Sequence, residues 1–164
     1  MFTNDNTECS TKISIISQNK FEKWLIKQPL FIKNWCLSNN FKGEKEKILK
    51  IPYQDGRLRE ILLGEGLRSN LSAVSIFSSS NNGNYFLYSK YADSTDLEIQ
   101  KAWAWGGYRY DGNDTQNLLY VKDKDNLSFL NIYEQSINFS RNLINAPANT
   151  MNPDSFFRKI KENE

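Results

Sequence analysis

Arg57-Leu-Arg-Glu-Ile-Leu-Leu63 runs into Gly64-Glu-Gly66, then Ser69-Asn-Leu-Ser-Ala-Val-Ser-Ile-Phe77, and, past a Ser/Asn/Gly loop at 78–84, Tyr85-Phe-Leu-Tyr88. The first run is apolar and branched enough for a strand, with basic and apolar residues partly alternating as on a half-buried sheet. The glycines end it, and Ser69 or Asn70 can cap a short helix through Phe77. Residues 85–88 then read as a second strand. A strand, a helix and a strand in this order make an α/β unit. A rival reading pairs 73–78 with 85–90 as a hairpin around Asn82-Gly83, and the sequence leaves both open.

Toward the N-terminus, Ile13-Ser-Ile-Ile-Ser17 reads as a strand. Phe21, Trp24, Leu25 and Ile26 have helical spacing, and Pro29 ends that helix and opens a second one carrying Leu30, Phe31, Trp35, Cys36 and Leu37. Lys45 to Tyr53 and Arg57 to Leu63 form a hairpin closed by Asp55-Gly56. Residues 1–11 read as a disordered tail.

Toward the C-terminus, Asp93, Ser94 or Thr95 caps a helix to about Tyr110, rich in Trp103, Trp105, Tyr108 and Tyr110. Gly106-Gly107 inside it costs about 1 kcal/mol per glycine, tolerable where another backbone packs closely. Leu118 to Val121 is a strand, 122–126 a charged loop, and Leu127 to Ile144 a long helix with a wide apolar stripe. Asn145-Ala-Pro-Ala-Asn149 breaks it, and Asn152-Pro153 starts a last helix with Phe156, Phe157 and Ile160 on one face. Those phenylalanines have little chain around them to pack against, so the polypeptide is expected to be cut short. The expected fold is therefore α/β: a small mixed sheet of about five strands covered by helices, followed by helices that open a second domain.

The 164 residues suit one domain or a little more, and 39% hydrophobic with 13% aromatic residues suffices for a core. There is no histidine, which excludes His-ligated zinc, His general bases and Ser-His-Asp or Cys-His catalysis within this chain. Cys9 and Cys36 make neither a disulfide framework nor a four-cysteine zinc site. The 21 basic and 19 acidic residues give no broad basic field for nucleic acid or membrane. The N-terminus has no signal-peptide pattern, and no apolar run approaches the roughly 18–20 residues of a membrane span. A cytoplasmic location is expected. The sequons at Asn70, Asn113, Asn126 and Asn138 are read as chance matches in an Asn- and Ser-rich chain.

Candidate chemistry is sparse. Gly64-Glu-Gly-Leu-Arg-Ser69 has a glycine-rich turn between strand and helix, but Ser69 stands where a dinucleotide turn needs its third glycine. A tight turn is the plainer reading; a nucleotide site is the weaker one. Asp111, Asp114, Asp123 and Asp125 lack calcium-loop spacing and read as solvated acids. Lys42, Lys45, Lys47 and Lys50 with Arg57 and Arg59 could make a small patch for phosphate or RNA, but interleaved Glu44, Glu46, Asp55 and Glu60 favour a solvated hairpin face. Cys36 and the four tryptophans (24, 35, 103 and 105) read as core.

Three stretches in order resemble one family. They are Trp24-Leu-Ile-Lys-Gln-Pro29 through Ile51-Pro52 and Asp55-Gly56 to Leu62-Leu-Gly64; Ala102-Trp-Ala-Trp-Gly-Gly-Tyr-Arg-Tyr110; and, most specific, Ser140-Arg-Asn-Leu-Ile-Asn-Ala-Pro-Ala-Asn-Thr-Met-Asn-Pro153. The last resembles the segment opening the catalytic domain of leucyl (cytosol) aminopeptidases, with Asn142 in place of the usual Asp and Ala146 in place of the usual Thr. The resemblance spans roughly 20–164. Beyond the tail at 1–11, it implies an N-terminal α/β domain at 12–126 and the truncated start of a catalytic domain at 127–164. It further implies hexamers that remove N-terminal residues from peptides, using two divalent metals, zinc or manganese, held by Asp, Glu and Lys. The family's Asn-Thr-Asp-Ala-Glu-Gly-Arg string is absent. No catalytic, cofactor-binding or metal-ligating residue is therefore assigned, and the chain alone is expected to be inactive. A non-catalytic binding or assembly module, for nucleic acid or a protein partner, is the alternative, though the charge balance speaks against nucleic acid.

Overall fold

The structure is a computed structural model that describes residues 2–5, 11–110, 117–147 and 149–161. A six-stranded sheet carries helices on both faces. In chain order the strands are β1 (Phe2–Thr3), β2 (Thr11–Ser17), β3 (Ile48–Pro52), β4 (Leu58–Gly66), β5 (Gly83–Tyr91) and β6 (Asn117–Tyr120). The helices are α1 (Phe21–Leu25), α2 (Leu30–Ser38), α3 (Ser72–Ser80), α4 (Asp96–Gly107), α5 (Lys124–Asn145) and α6 (Pro153–Lys161), with a 3-10 turn at Gln18–Lys20. The spatial order is β1-β6-β5-β2-β4-β3, and only the β3–β4 pair is antiparallel.

Central strands β2 and β4 are buried on both faces, which explains their near-continuous apolar runs. Ile13, Ile15, Ile61 and Leu63 face a core with Phe77, Ile99, Trp103 and Leu130 of α3, α4 and α5. Ile16 and Leu62 face the other core, with Trp24, Ile32 and Cys36 of α1 and α2 and with Leu49 and Ile51 of β3. The half-buried reading of β4 thus holds only at Leu58 and Arg59; from Glu60 to Gly66 the strand is buried. Residues 72–80 are helical, so the rival hairpin is not formed.

The tail expected at 1–11 contains a strand. Phe2 is buried and pairs with Leu119, and Thr3 pairs with Tyr120, so the N-terminus closes the sheet edge. Two residues carry no periodicity, and only a long-range partner makes them a strand. The long helix begins three residues before Leu127. Asp123 caps α5 by accepting from Asp125 N at 2.8 Å and Asn126 N at 3.2 Å, which turns most of the expected charged loop into a first helical turn.

Candidate functional site

The second and third stretches of the resemblance meet in space, where the end of α4 packs against the C-terminal half of α5. Thr95 starts α4 with a capping box to Glu98. Its far end is fixed by α3: Ser75 Oγ donates to Ala102 O and Ser78 Oγ to Trp103 O, each at 2.8 Å. The two backbones approach so closely that a Cβ on Gly106 would overlap Ser75 O and Ser78 Oγ. The expected reason for a glycine in this helix is the observed one.

This packing splits the two tryptophans of the turn. Trp103 is buried against Phe77 and Tyr85, with ring centroids 6.0 and 5.5 Å away. Trp105 is half exposed and faces α5, so it is not core as the sequence reading had it. Trp105 Nε1 donates to Tyr133 Oη at 2.9 Å. The Arg141 guanidinium lies 4.4 Å from the Trp105 ring centroid and 5.2 Å from that of Tyr108, and its Nη1 donates to Trp105 O at 2.8 Å. Tyr108 Oη donates to Asn142 Oδ1 at 2.9 Å and accepts from Asn145 Nδ2 at 3.1 Å. Arg141, Asn142 and Asn145 of the most specific motif therefore grip the Trp-Gly-Gly-Tyr turn. Beside this lock is a groove of about 340 Å³ lined by Trp105, Tyr133, Ile137, Arg141 and Ile144. Neither of the two stretches foretells the contact with the other; only their joint presence in one resemblance hinted at it.

Beyond the lock, Thr150 N and Met151 N donate to Pro147 O, and Asn152 Oδ1 caps α6 through Ser155 N at 2.9 Å. Phe156, Phe157 and Ile160 of α6, like Ile132 and Ile144 of α5, are exposed. Both helices thus carry apolar side chains in solvent.

The other sequence candidates resolve into structure. Asp123 is a helix cap and Asp125 lies in the first turn of α5; Asp111, Asp114 and Cys9 lie outside the described residues. Lys50 Nζ donates to Asn81 Oδ1, Arg57 pairs with Asp55 at 2.7 Å, and Arg59 lies over the Tyr53 ring. Cys36 is wholly buried, and burial, helped by the charge of Glu60, pushes its thiol up to about 11. Trp24 is core, while Trp35 is half-buried and donates its Nε1 to Lys50 O at 3.1 Å.

Among the described residues no group of three or more His, Cys, Asp or Glu could hold a metal ion. A two-metal centre does not fit the side chains described, and no hydrolytic step is routed through them. No helix among them is long and apolar enough to cross a membrane.

A mixed α/β domain whose last two helices carry exposed apolar side chains, with no metal centre among the described residues, is what the geometry defines. The family profile described as the M17 aminopeptidase N-terminal domain matches residues 11–120, and the chain belongs to that family. Solved structures show the same fold. Cytosol aminopeptidase from Coxiella burnetii is 20% identical with a TM-score of 0.77, over 98% of this chain and 36% of its own. A tomato leucine aminopeptidase mutant is 14% identical with a TM-score of 0.69, over 98% of this chain and 41% of its own. The bottromycin maturation enzyme BotP, in complex with Mn, is 17% identical with a TM-score of 0.63, over 94% of this chain and 36% of its own. The chain thus spans about two fifths or less of the length of these proteins. No curated protein sequence matches it.

Proposed function

We propose that this chain is the N-terminal portion of a di-metal leucyl aminopeptidase, a platform that orients α5 and α6 toward a catalytic domain and holds no catalytic group itself. The observation that carries this reading is the grip of Arg141, Asn142 and Asn145 on the Trp105–Tyr108 turn, since it fixes the direction in which the chain leaves the α/β domain. The family match over 11–120 and the exposed apolar residues of α5 and α6 support it. In this reading residues 12–126 form the domain proper and 127–164 open the catalytic domain. The complete enzyme removes N-terminal residues from peptides in the cytoplasm, as a hexamer, with two zinc or manganese ions bound in the catalytic domain by its own side chains.

The coding sequence downstream of codon 164 tests the reading. An in-frame Asn-Thr-Asp-Ala-Glu-Gly-Arg string is expected there, within a segment of catalytic-domain length. A downstream sequence with no such string in any frame contradicts it.

A further inference from the structure

The connections leaving the two central strands run over opposite faces of the sheet. The connection after β2 runs over the α1–α2 face of the sheet, and the one after β4 runs over the α3 face. β2 and β4 are parallel, hydrogen-bonded neighbours, so their carboxyl ends lie side by side on the end of the sheet where open α/β sheets hold ligands. A cleft of about 370 Å³ lies there, lined by Gln18 just after β2, by Gly66, Leu67, Arg68 and Asn70 at the end of β4, and by Glu44 and Lys45. This size suits a small molecule.

The walls are fixed. Gly66 N donates to Gly43 O at 2.8 Å, Gly64 N to Lys47 O at 2.8 Å and Asn70 N to Glu65 O at 2.9 Å. The buried Glu65 carboxylate accepts from Asp93 N at 2.5 Å and Ser94 N at 2.6 Å, tying the end of β4 to the end of β5. Gly66 has φ +75°, and a Cβ there would press on Lys45 Cβ at 3.1 Å, so glycine lets the 43–47 loop close the cleft. Ser69 is also left-handed, at φ +47°.

The charges on the wall are two cations and one acid. Glu44 Oε2 already accepts from Lys42 N at 2.8 Å. Lys45 and Arg68 form no ion pair among the described residues, although the sequence places acids on either side of Lys45. Asn70 Oδ1 accepts from Ser72 N at 3.0 Å, which occupies the start of α3 and leaves recognition to the two cations.

We propose that this cleft binds a phosphate-bearing small molecule of mononucleotide size, its phosphate held by Arg68 and Lys45. This gives the Gly64–Ser69 turn a role outside the peptidase scaffold. A guanidinium presents paired donors to phosphate oxygens, and a lysine adds a point charge.

Calorimetric titration of the full chain with ADP and, separately, with inorganic phosphate tests this, with potassium chloride matching ionic strength. Both probes are expected to bind and to raise the melting temperature. Phosphate equal to ADP places recognition in the phosphate alone; tighter ADP places it in a nucleotide. The K45A and R68A variants alter exposed side chains and are expected to weaken binding by about tenfold or more, while K33A, on α2 away from the cleft, leaves it unchanged. No response to either probe, a response matched by the salt control, or full binding by the K45A/R68A double variant would overturn the proposal.

Discussion

At Gly106 two effects of opposite sign compete. In an open helix, Gly→Ala stabilises by about 1 kcal/mol. Here the added Cβ overlaps Ser75 O and Ser78 Oγ of α3. Separating packed helices costs about 1–3 kcal/mol, so the overlap wins. Gly106→Ala is expected to lower unfolding stability by about 1–2 kcal/mol in urea titration; an increase would show that α3 and α4 are less closely packed. Asp93 offers a pH test. Its carboxyl is held below the ordinary carboxylate value by the hydrogen bonds from Lys20 and Ser17, against a smaller opposing effect of burial. A depressed folded-state value means that the stabilisation is complete above the unfolded value near pH 4 and lost as pH falls through the depressed one. The stability gap between the wild type and Asp93→Asn is thus expected to be constant above about pH 5 and to shrink below about pH 4. A gap that grows on acidification would reverse the sign of the argument.

Among the elements, α5 links the domain to whatever lies beyond it. Its first half packs on the sheet core through Leu130, while its second half is held chiefly by the Arg141–Trp105–Tyr108 lock. Arg141→Ala removes the contacts with the Trp105 and Tyr108 rings and a hydrogen bond, together worth about 1–2 kcal/mol. Amide exchange at 141–146 is expected to accelerate several-fold, while exchange in β2 and β4 stays unchanged; equal protection along α5 would remove the lock from the account. The elements themselves were largely legible. The breaks at Pro29, Asp55-Gly56 and Asn152-Pro153 are local chemistry, and each stands where the sequence puts it. Three features were not legible. β1 exists only by pairing with β6, 117 residues along the register from Phe2 to Leu119. The first turn of α5 depends on the Asp123 cap rather than on apolar periodicity. Trp105 looked like core because its exposure is decided by the direction of α4 against α3, which no spacing encodes.

For the whole molecule, the family was legible in motif-sized pieces, because Trp-Gly-Gly-Tyr and Arg-Asn-Leu-Ile-Asn are needed for one another's packing. The lock was not, since 32 residues and a strand separate Tyr108 from Arg141 in sequence but not in space. The cleft at the carboxyl ends of β2 and β4 was half legible: the Gly64–Ser69 turn stood out, but Lys45 joins it only through the β3–β4 hairpin. The central claim is that this chain orients a catalytic domain and catalyses nothing itself. The most direct measurement is hydrolysis of leucyl-p-nitroanilide by the purified chain, with manganese, with zinc and with chelator. The account predicts no release of p-nitroaniline above the buffer rate under any of the three; metal-dependent, chelator-sensitive turnover by this chain would contradict it.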